Sequence, residues 1–345
     1  MCMESLSNRK DDHITLSLSE DVKGFRSAGF ENYILEHNAL PELDFSEIEI
    51  SARFLGRDVS MPLIISSMTG GGKMSEKINR ALAELANDFK IGLSVGSQRC
   101  ALENKKLQKS FQMVRNYAPN IPILANFGAS HLNYGYGIEE CAQVIDMVDA
   151  DALTLHLNPL HEVFQNNGNT NFSQLLTKIE QVCKKVCVPV IIKEIGYGIS
   201  ASVAKRLAEA GVYAVDVAGA GSVSWTEVEK HRSNDVVLRA AAESFIDWGI
   251  PTTQCIKSIS ENVRGLRIIA SGGVDTGVKI AKAIALGASI CGNASEFLRS
   301  ITESRAKCEN YVETLKLELK ATMFCVGCRN ISELQNAKIK HMSSM

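Results

Sequence analysis

At 345 residues the chain is long for one ordinary domain and normal for a single α/β barrel carrying extra segments. Apolar residues make up 45% and charged residues 22%, the balance of a globular protein with a sizeable core; the formal charge of −2 argues against nucleic-acid or polyanion binding by the whole surface. The opening residues lack the apolar core of a signal peptide and no apolar run approaches bilayer-spanning length, so a cytoplasmic protein without a membrane partner is expected.

Residues 1–60 read as an N-terminal extension or lid without clear periodicity. Its cluster Arg9-Lys10-Asp11-Asp12-His13 is on composition a solvated tail, but two adjacent cations beside a histidine can also close over an anionic ligand. From residue 61 to 320 the chain alternates short apolar runs with amphipathic helical patterns. The runs are Pro62–Ser67, Ile91–Val95, Ile121–Asn126, Ala152–Asn158, Val188–Glu194, Ala214–Gly219, Leu266–Ser271 and Ala288–Gly292. Most lack polar alternation and many are β-branched, as buried parallel strands are. Helical spacing fills Lys73–Asp88, Ile138–Val148, Phe172–Val186 and Ser200–Ala210. Eight such units predict a closed (β/α)8 TIM barrel rather than an open sheet. The longest gap, Trp225 to Ile250, leaves room for an insertion over the mouth, Glu296 to Lys320 reads as the last barrel helix, and residues 321–345 form a tail. The ten cysteines follow no framework spacing and read as reduced core thiols; Cys325 and Cys328 lack the second pair a zinc site needs.

In such a barrel the strand C-termini build the active site. Strand four ends in His156-Leu-Asn158 and runs on through His161 to Glu162. Both histidines are candidate acid–base groups, although His156, inside the strand pattern, also reads as a satisfied buried imidazole. Glu162 is a candidate Mg2+ ligand, since one carboxylate suffices when substrate phosphates supply further oxygens; a loop glutamate is more often simply solvated. Lys193 ends strand five, and strand alternation turns it away from Glu194 and into the mouth, where a cation can stabilise negative charge on a flavin or enolate. Gln98 and Arg99 are placed similarly. The loops Ser271-Gly-Gly273 and Gly292-Asn-Ala-Ser295, after strands seven and eight, have the make-up of a phosphate cradle.

Taken in order, Arg9-Lys-Asp-Asp-His13, His37-Asn-Ala-Leu-Pro-Glu42, Met68-Thr-Gly-Gly71, Gly96-Ser-Gln-Arg99, Ala125-Asn126, His156-Leu-Asn-Pro-Leu-His-Glu162, Lys193, Asp216-Val-Ala-Gly-Ala-Gly221 and Ser271-Gly-Gly273 resemble the FMN-dependent type 2 isopentenyl-diphosphate delta-isomerases. The resemblance runs from about Arg9 to the C-terminal helix. It implies an FMN-binding barrel that interconverts isopentenyl and dimethylallyl diphosphate, using reduced FMN, Mg2+, NAD(P)H as flavin reductant, and a tetrameric or octameric homo-oligomer. It further implies that Ser67, Met68, Thr69, Ser97, Asn126 and Lys193 meet the flavin, while Gly272, Gly273, Ala294 and Ser295 hold its phosphate. Arg9, Lys10, His13, Ser97 and Arg99 would bind the substrate diphosphate, His156, Asn158 and His161 would line its pocket, and Glu162 would hold Mg2+.

The chain departs from that family at several positions. His161 and His131 stand where the family has glutamine, and Gly221-Ser222-Val223 replaces Gly-Gly-Thr, leaving Ser222 or Ser224 to supply the hydroxyl near the FMN phosphate. Asn169-Thr170-Asn171 lacks the charges common in that loop. Two alternatives therefore stay open: a diverged member acting on another prenyl-type diphosphate, and an FMN-dependent 2-hydroxy-acid oxidase. A non-catalytic binding protein is disfavoured by Lys193, Asn126 and Met68–Gly71.

Overall fold

A computed structural model describes residues 13–16, 18, 22, 24–68, 70–71 and 73–344. Arg9, Lys10 and Thr69 lie outside the described residues. Eight parallel strands close into a barrel in chain order: β1 (Leu63–Ile65), β2 (Gly92–Ser94), β3 (Ile123–Gly128), β4 (Ala152–His156), β5 (Val190–Lys193), β6 (Ala214–Asp216), β7 (Arg267–Ala270) and β8 (Ile290–Asn293). Closure is made by β8 pairing with β1.

Period-two alternation divides each strand between two cores. Leu63 and Ile65 face the main core beneath the helices, whereas Ile64 joins an inner cluster with Leu124, Ala152, Ile191, Ala214, Ile269 and Ile290. Phe54 completes that inner cluster from the hairpin Ala52–Phe54/Arg57–Val59. The hairpin turns at Leu55 (φ 50°) and Gly56 (φ 78°), the paired positive dihedrals that match strand twist in a two-residue loop. Two residues beyond each inward apolar side chain, toward the C-terminal end, the same face carries Ser66, Asn126, Thr154, Lys193, Asp216, Ser271 and Gly292. One strand pattern thus supplies both a dry floor and a polar mouth.

The segment after β6 is not merely a loop: it forms helices α1 (Trp225–Arg232) and α2 (Val236–Glu243). The expected single helix over Glu296–Lys320 is in fact two, Ser295–Glu303 and Arg305–Val326. Ser304 separates them because its backbone is extended and its hydroxyl accepts from the Lys307 N–H, starting the second helix afresh. The helix Arg305–Val326 runs past residue 320, and the strand Ile339–His341 pairs antiparallel with Tyr33–Leu35. The two ends of the chain are therefore stitched together, although the extension showed no strand periodicity. Among the described residues no helix is long and apolar enough to cross a membrane.

Candidate active site

A cavity of about 300 Å³ opens at the C-terminal ends of the strands, within the size range of small-ligand sites. It gathers His13, Ser67, Met68, Ser97, Arg99, Asn126, His156, Asn158, His161, Glu162, Lys193, Ser222, Gly272, Gly273, Ala294 and Ser295. Most of the described residues singled out from the sequence therefore lie on one surface; Gln98 does not, being fully buried with its Nε2 donating to the Val144 carbonyl and its Oε1 accepting from the Asn126 N–H, and the Ser224 hydroxyl is buried against that of Thr226.

Lys193 sits there because register puts it there. His156 pairs with Lys193 and Lys193 with Asp216 across neighbouring strands, so all three emerge at one level. Lys193 Nζ lies 3.2 Å from Asp216 Oδ2 and donates to the Glu194 carbonyl (3.1 Å) and to Ser271 Oγ (3.3 Å). The Ser271 hydroxyl donates to Asp216 Oδ1 at 2.5 Å. Asp216, in the motif but not among the expected site residues, is the actual counter-ion. Glu194 turns away, as alternation requires; its Oε2 accepts the N–H groups of Ile195, Gly196 and Tyr197 and so shapes the loop beside the cavity. Burial pushes the Glu194 carboxyl up to about 7 against those three donors and the neighbouring Lys193 charge.

Asn126 Nδ2 donates to Ser67 Oγ (2.7 Å), so its Oδ1 accepts from His156 Nδ1–H at 2.8 Å. Gly128 must lack a side chain: a Cβ there would lie 2.8 Å from His131 Nε2 and 3.2 Å from His156 Nε2. His131 is thereby packed into the same wall, held by Asn169 Nδ2 at 2.8 Å from its Nδ1.

Helix α1 brings the group that sequence reading missed. Glu229 Oε1 stands 2.9 Å from His13 Nε2 and 3.0 Å from His161 Nε2, and Arg232 donates to Oε2 at 2.8 Å. Burial works to raise the Glu229 carboxyl, but the two histidine hydrogen bonds outweigh it and hold it well below the usual carboxylate range. Burial likewise lowers His13 to about 4, against its hydrogen bond to Glu229. In a segment as charged as Thr226-Glu-Val-Glu-Lys-His-Arg232, no period marked Glu229 as buried; only its i+4 spacing from Trp225 hinted at a shared face. Trp225 packs edge-to-face against His13 and at a tilt against His161, with ring centroids 5.2 and 5.3 Å away.

Glu162 is buried, not solvated, and its carboxylate accepts from Asn158 Nδ2 (2.8 Å), Gln165 Nε2 (3.1 Å) and the Asn169 N–H (2.5 Å). Asn158 Oδ1 beside it is buried without a hydrogen-bond partner among the described residues. A carboxylate next to an orphaned amide oxygen is a donor set that suits a hard cation. The loop after β7 fits a phosphate-bearing cofactor: Gly272 (φ 93°) and Gly273 (φ 75°) lie so close to Gly219 and Gly221 that a Cβ would meet their carbonyl oxygens at 2.2 and 2.5 Å. Ser295 opens a helix of nine residues at the same edge, presenting N–H groups to an anion. The nine described cysteines are free, and burial pushes the thiols of Cys141 and Cys255 up to about 12, as inert core groups.

The FMN-dependent dehydrogenase family model matches residues 138–341. An isopentenyl-diphosphate delta-isomerase of Oceanobacillus iheyensis is 46% identical over 334 residues, covering 96% of this chain and 95% of that protein. A protein of the same name from Nostoc sp. is also 46% identical, covering 96% and 94%. Among solved structures, a mandelate oxidase aligns with a TM-score of 0.67 at 15% identity, covering 97% of each chain, a likeness of fold alone. With such identity to these relatives over nearly its whole length, the chain belongs to the isopentenyl-diphosphate delta-isomerase family, built on the FMN-dependent dehydrogenase barrel.

Proposed function

We propose that the chain interconverts isopentenyl and dimethylallyl diphosphate. The observation that carries this reading is one cavity lined by an anion cradle at Gly272–Gly273 and Ser295, by Lys193 with its counter-ion Asp216, and by His161 with its partner Glu229. FMN would be held by Ser67, Met68, Ser97, Asn126 and Lys193 around its ring, and by Ser222, Gly272, Gly273, Ala294 and Ser295 at its phosphate. Reduced FMN, when bound, supplies an electron-rich face and acid–base chemistry at the reacting alkene. Glu162, with the orphaned Asn158 oxygen, would hold Mg2+ against the substrate diphosphate, and His13 and Arg99, with Arg9 and Lys10, would bind that diphosphate.

The reaction adds a proton at the terminal alkene carbon and removes one from C2, so it needs groups that hold protons at defined atoms. Asn158 Nδ2 donates toward His161 Nδ1 (3.2 Å), which leaves the proton of a neutral ring on Nε2, hydrogen-bonded to Glu229. His161 thus holds its N–H against Glu229, at the position where the resemblance implies a glutamine amide. Trp225 beside it excludes water and offers a π face to developing positive charge. NAD(P)H as the flavin reductant, a cytoplasmic location and a tetrameric or octameric assembly belong to the same proposal. So does the division into a lid (1–60), a barrel (61–320) and a tail.

The test is an anaerobic assay of dithionite-reduced, FMN-loaded protein with isopentenyl diphosphate and Mg2+, following dimethylallyl diphosphate. Turnover that requires reduced flavin is expected. Bound, reducible FMN without turnover would overturn the reading in favour of a diverged enzyme with another prenyl-type substrate.

A further inference from the structure

His13, His161 and Glu229 place three metal-ligating atoms together at the edge of the cavity, all within 4.8 Å of one another. Two ligands about 2.1 Å from a tetrahedral zinc ion lie about 3.4 Å apart. The two Nε2 atoms stand 2.9 and 3.0 Å from Glu229 Oε1 as hydrogen-bond partners, so an outward shift of about 0.4–0.5 Å at each brings them to that spacing. The three side chains come from different parts of the chain, and both histidines line the cavity, so the remaining coordination positions face ligand space.

We propose that His13 Nε2, His161 Nε2 and Glu229 Oε1 form a site for a borderline divalent transition metal such as Zn2+, separate from the hard-cation position at Glu162. Imidazole nitrogen suits zinc, cobalt or iron, whereas Mg2+ selects oxygen donors. Two histidines, one carboxylate and an open position are a donor set that catalytic zinc sites use.

The surroundings supply the second layer of support. Arg232 holds Glu229 Oε2 at 2.8 Å and so aims Oε1 at the histidines. Binding at His161 Nε2 moves the ring proton to Nδ1, which then needs an acceptor. Asn158 can provide one by turning its amide, because its Oδ1 is buried and unpartnered among the described residues. That turn gives up the 2.8 Å hydrogen bond from Asn158 Nδ2 to Glu162 and takes the Asn158 oxygen away from the hard-cation position, so zinc here and a cation at Glu162 compete for that side chain. This loss and the positive charge of Arg232 weaken the site, so the ion is exchangeable rather than structural. The site's existence rests on this geometry alone. Its effect, inhibition of turnover by Zn2+ even with Mg2+ present, rests on the isomerase reading, because zinc would occupy His161 and the mouth of the substrate cavity.

The experiment uses full-length, FMN-loaded protein, stripped with EDTA and dialysed against Zn2+, with bound zinc counted and crystals examined by anomalous scattering at the zinc edge. One zinc per chain, removable by EDTA, with its anomalous peak among the three side chains, is expected. H161Q and H13Q should each weaken binding at least tenfold, while H37Q, at an exposed histidine, should not. H13Q serves as the second variant if H161Q does not fold. An anomalous peak at cysteines, binding unaffected by both substitutions, or no stoichiometric zinc would overturn the proposal. Zinc at the triad in a protein that, once stripped of zinc and supplied with Mg2+ and reduced FMN, still forms no dimethylallyl diphosphate would instead refute the isomerase reading alone.

Discussion

Replacing Asp216 by asparagine removes the counter-ion of Lys193 while keeping the side chain's size. Both partners are nearly buried, with side-chain exposures of 11% for Lys193 and 8% for Asp216, and their charged atoms are 3.2 Å apart. At that separation and an effective dielectric of about 20 the gross attraction is about 5 kcal/mol, most of which offsets the cost of taking both charges out of water. The net worth of the pair is therefore small. Removing one member alone leaves the ammonium buried with only the Glu194 carbonyl and Ser271 hydroxyl, a loss of about 3–5 kcal/mol. D216N should lower unfolding free energy by that amount in urea melts at matched FMN content. The double variant K193M/D216N should recover most of it, because no uncompensated charge remains. D216N within about 1 kcal/mol of wild type, or a double variant no more stable than D216N, would refute the reasoning.

Two further outcomes follow from the packing and the electrostatics. A Cβ at Gly277, the first residue of the helix Gly277–Ala285, would lie 2.4 Å from the Leu315 carbonyl oxygen and the Leu319 nitrogen, both backbone atoms of the helix Arg305–Val326; G277A should cost about 1–3 kcal/mol in a thermal melt, and an unchanged Tm would show that the two helices slide apart freely. His13 is lowered from 6.5 to about 4, chiefly by burial, so in the folded state it stays neutral where the free ring would be charged. Its stabilising effect is complete above pH 6.5 and is lost as pH falls from 6.5 toward 4, by about 3 kcal/mol. Protection factors of the amides of residues 13–16 in metal-free protein, corrected for the intrinsic slowing of exchange at lower pH, should fall over that window in wild type more than in H13Q. Equal pH dependence in the two would sink it, and taking the difference cancels Glu194, whose raised carboxyl favours the fold at low pH and loses that contribution as pH rises through about 7.

The barrel was legible in the chain because each strand writes its own burial. Ile191 and Lys193 stand two apart on one strand, so the residue pattern alone turns Lys193 into the mouth, and Gly272–Gly273 carry a conformation few other residues adopt. The candidate cavity was likewise readable at the strand ends, since a residue's place on a parallel strand fixes its level in the barrel. The break at Ser304 was not readable, because amphipathic periodicity runs through a one-residue interruption.

Partnership was decided only by the tertiary structure. Asp216 became the counter-ion of Lys193 through strand register, and Glu229 met His13 and His161 across 216 and 68 residues of chain. Glu229 lies in a charged helix that local pattern assigns to solvent, and it is buried because that helix is laid over the barrel mouth. Tyr33–Leu35 and Ile339–His341 became strands only by finding each other from opposite ends of the sequence. Local sequence carries the energy of burying a face. It does not carry the identity of a distant group that neutralises a buried charge or completes a hydrogen bond, which depends on chain closure.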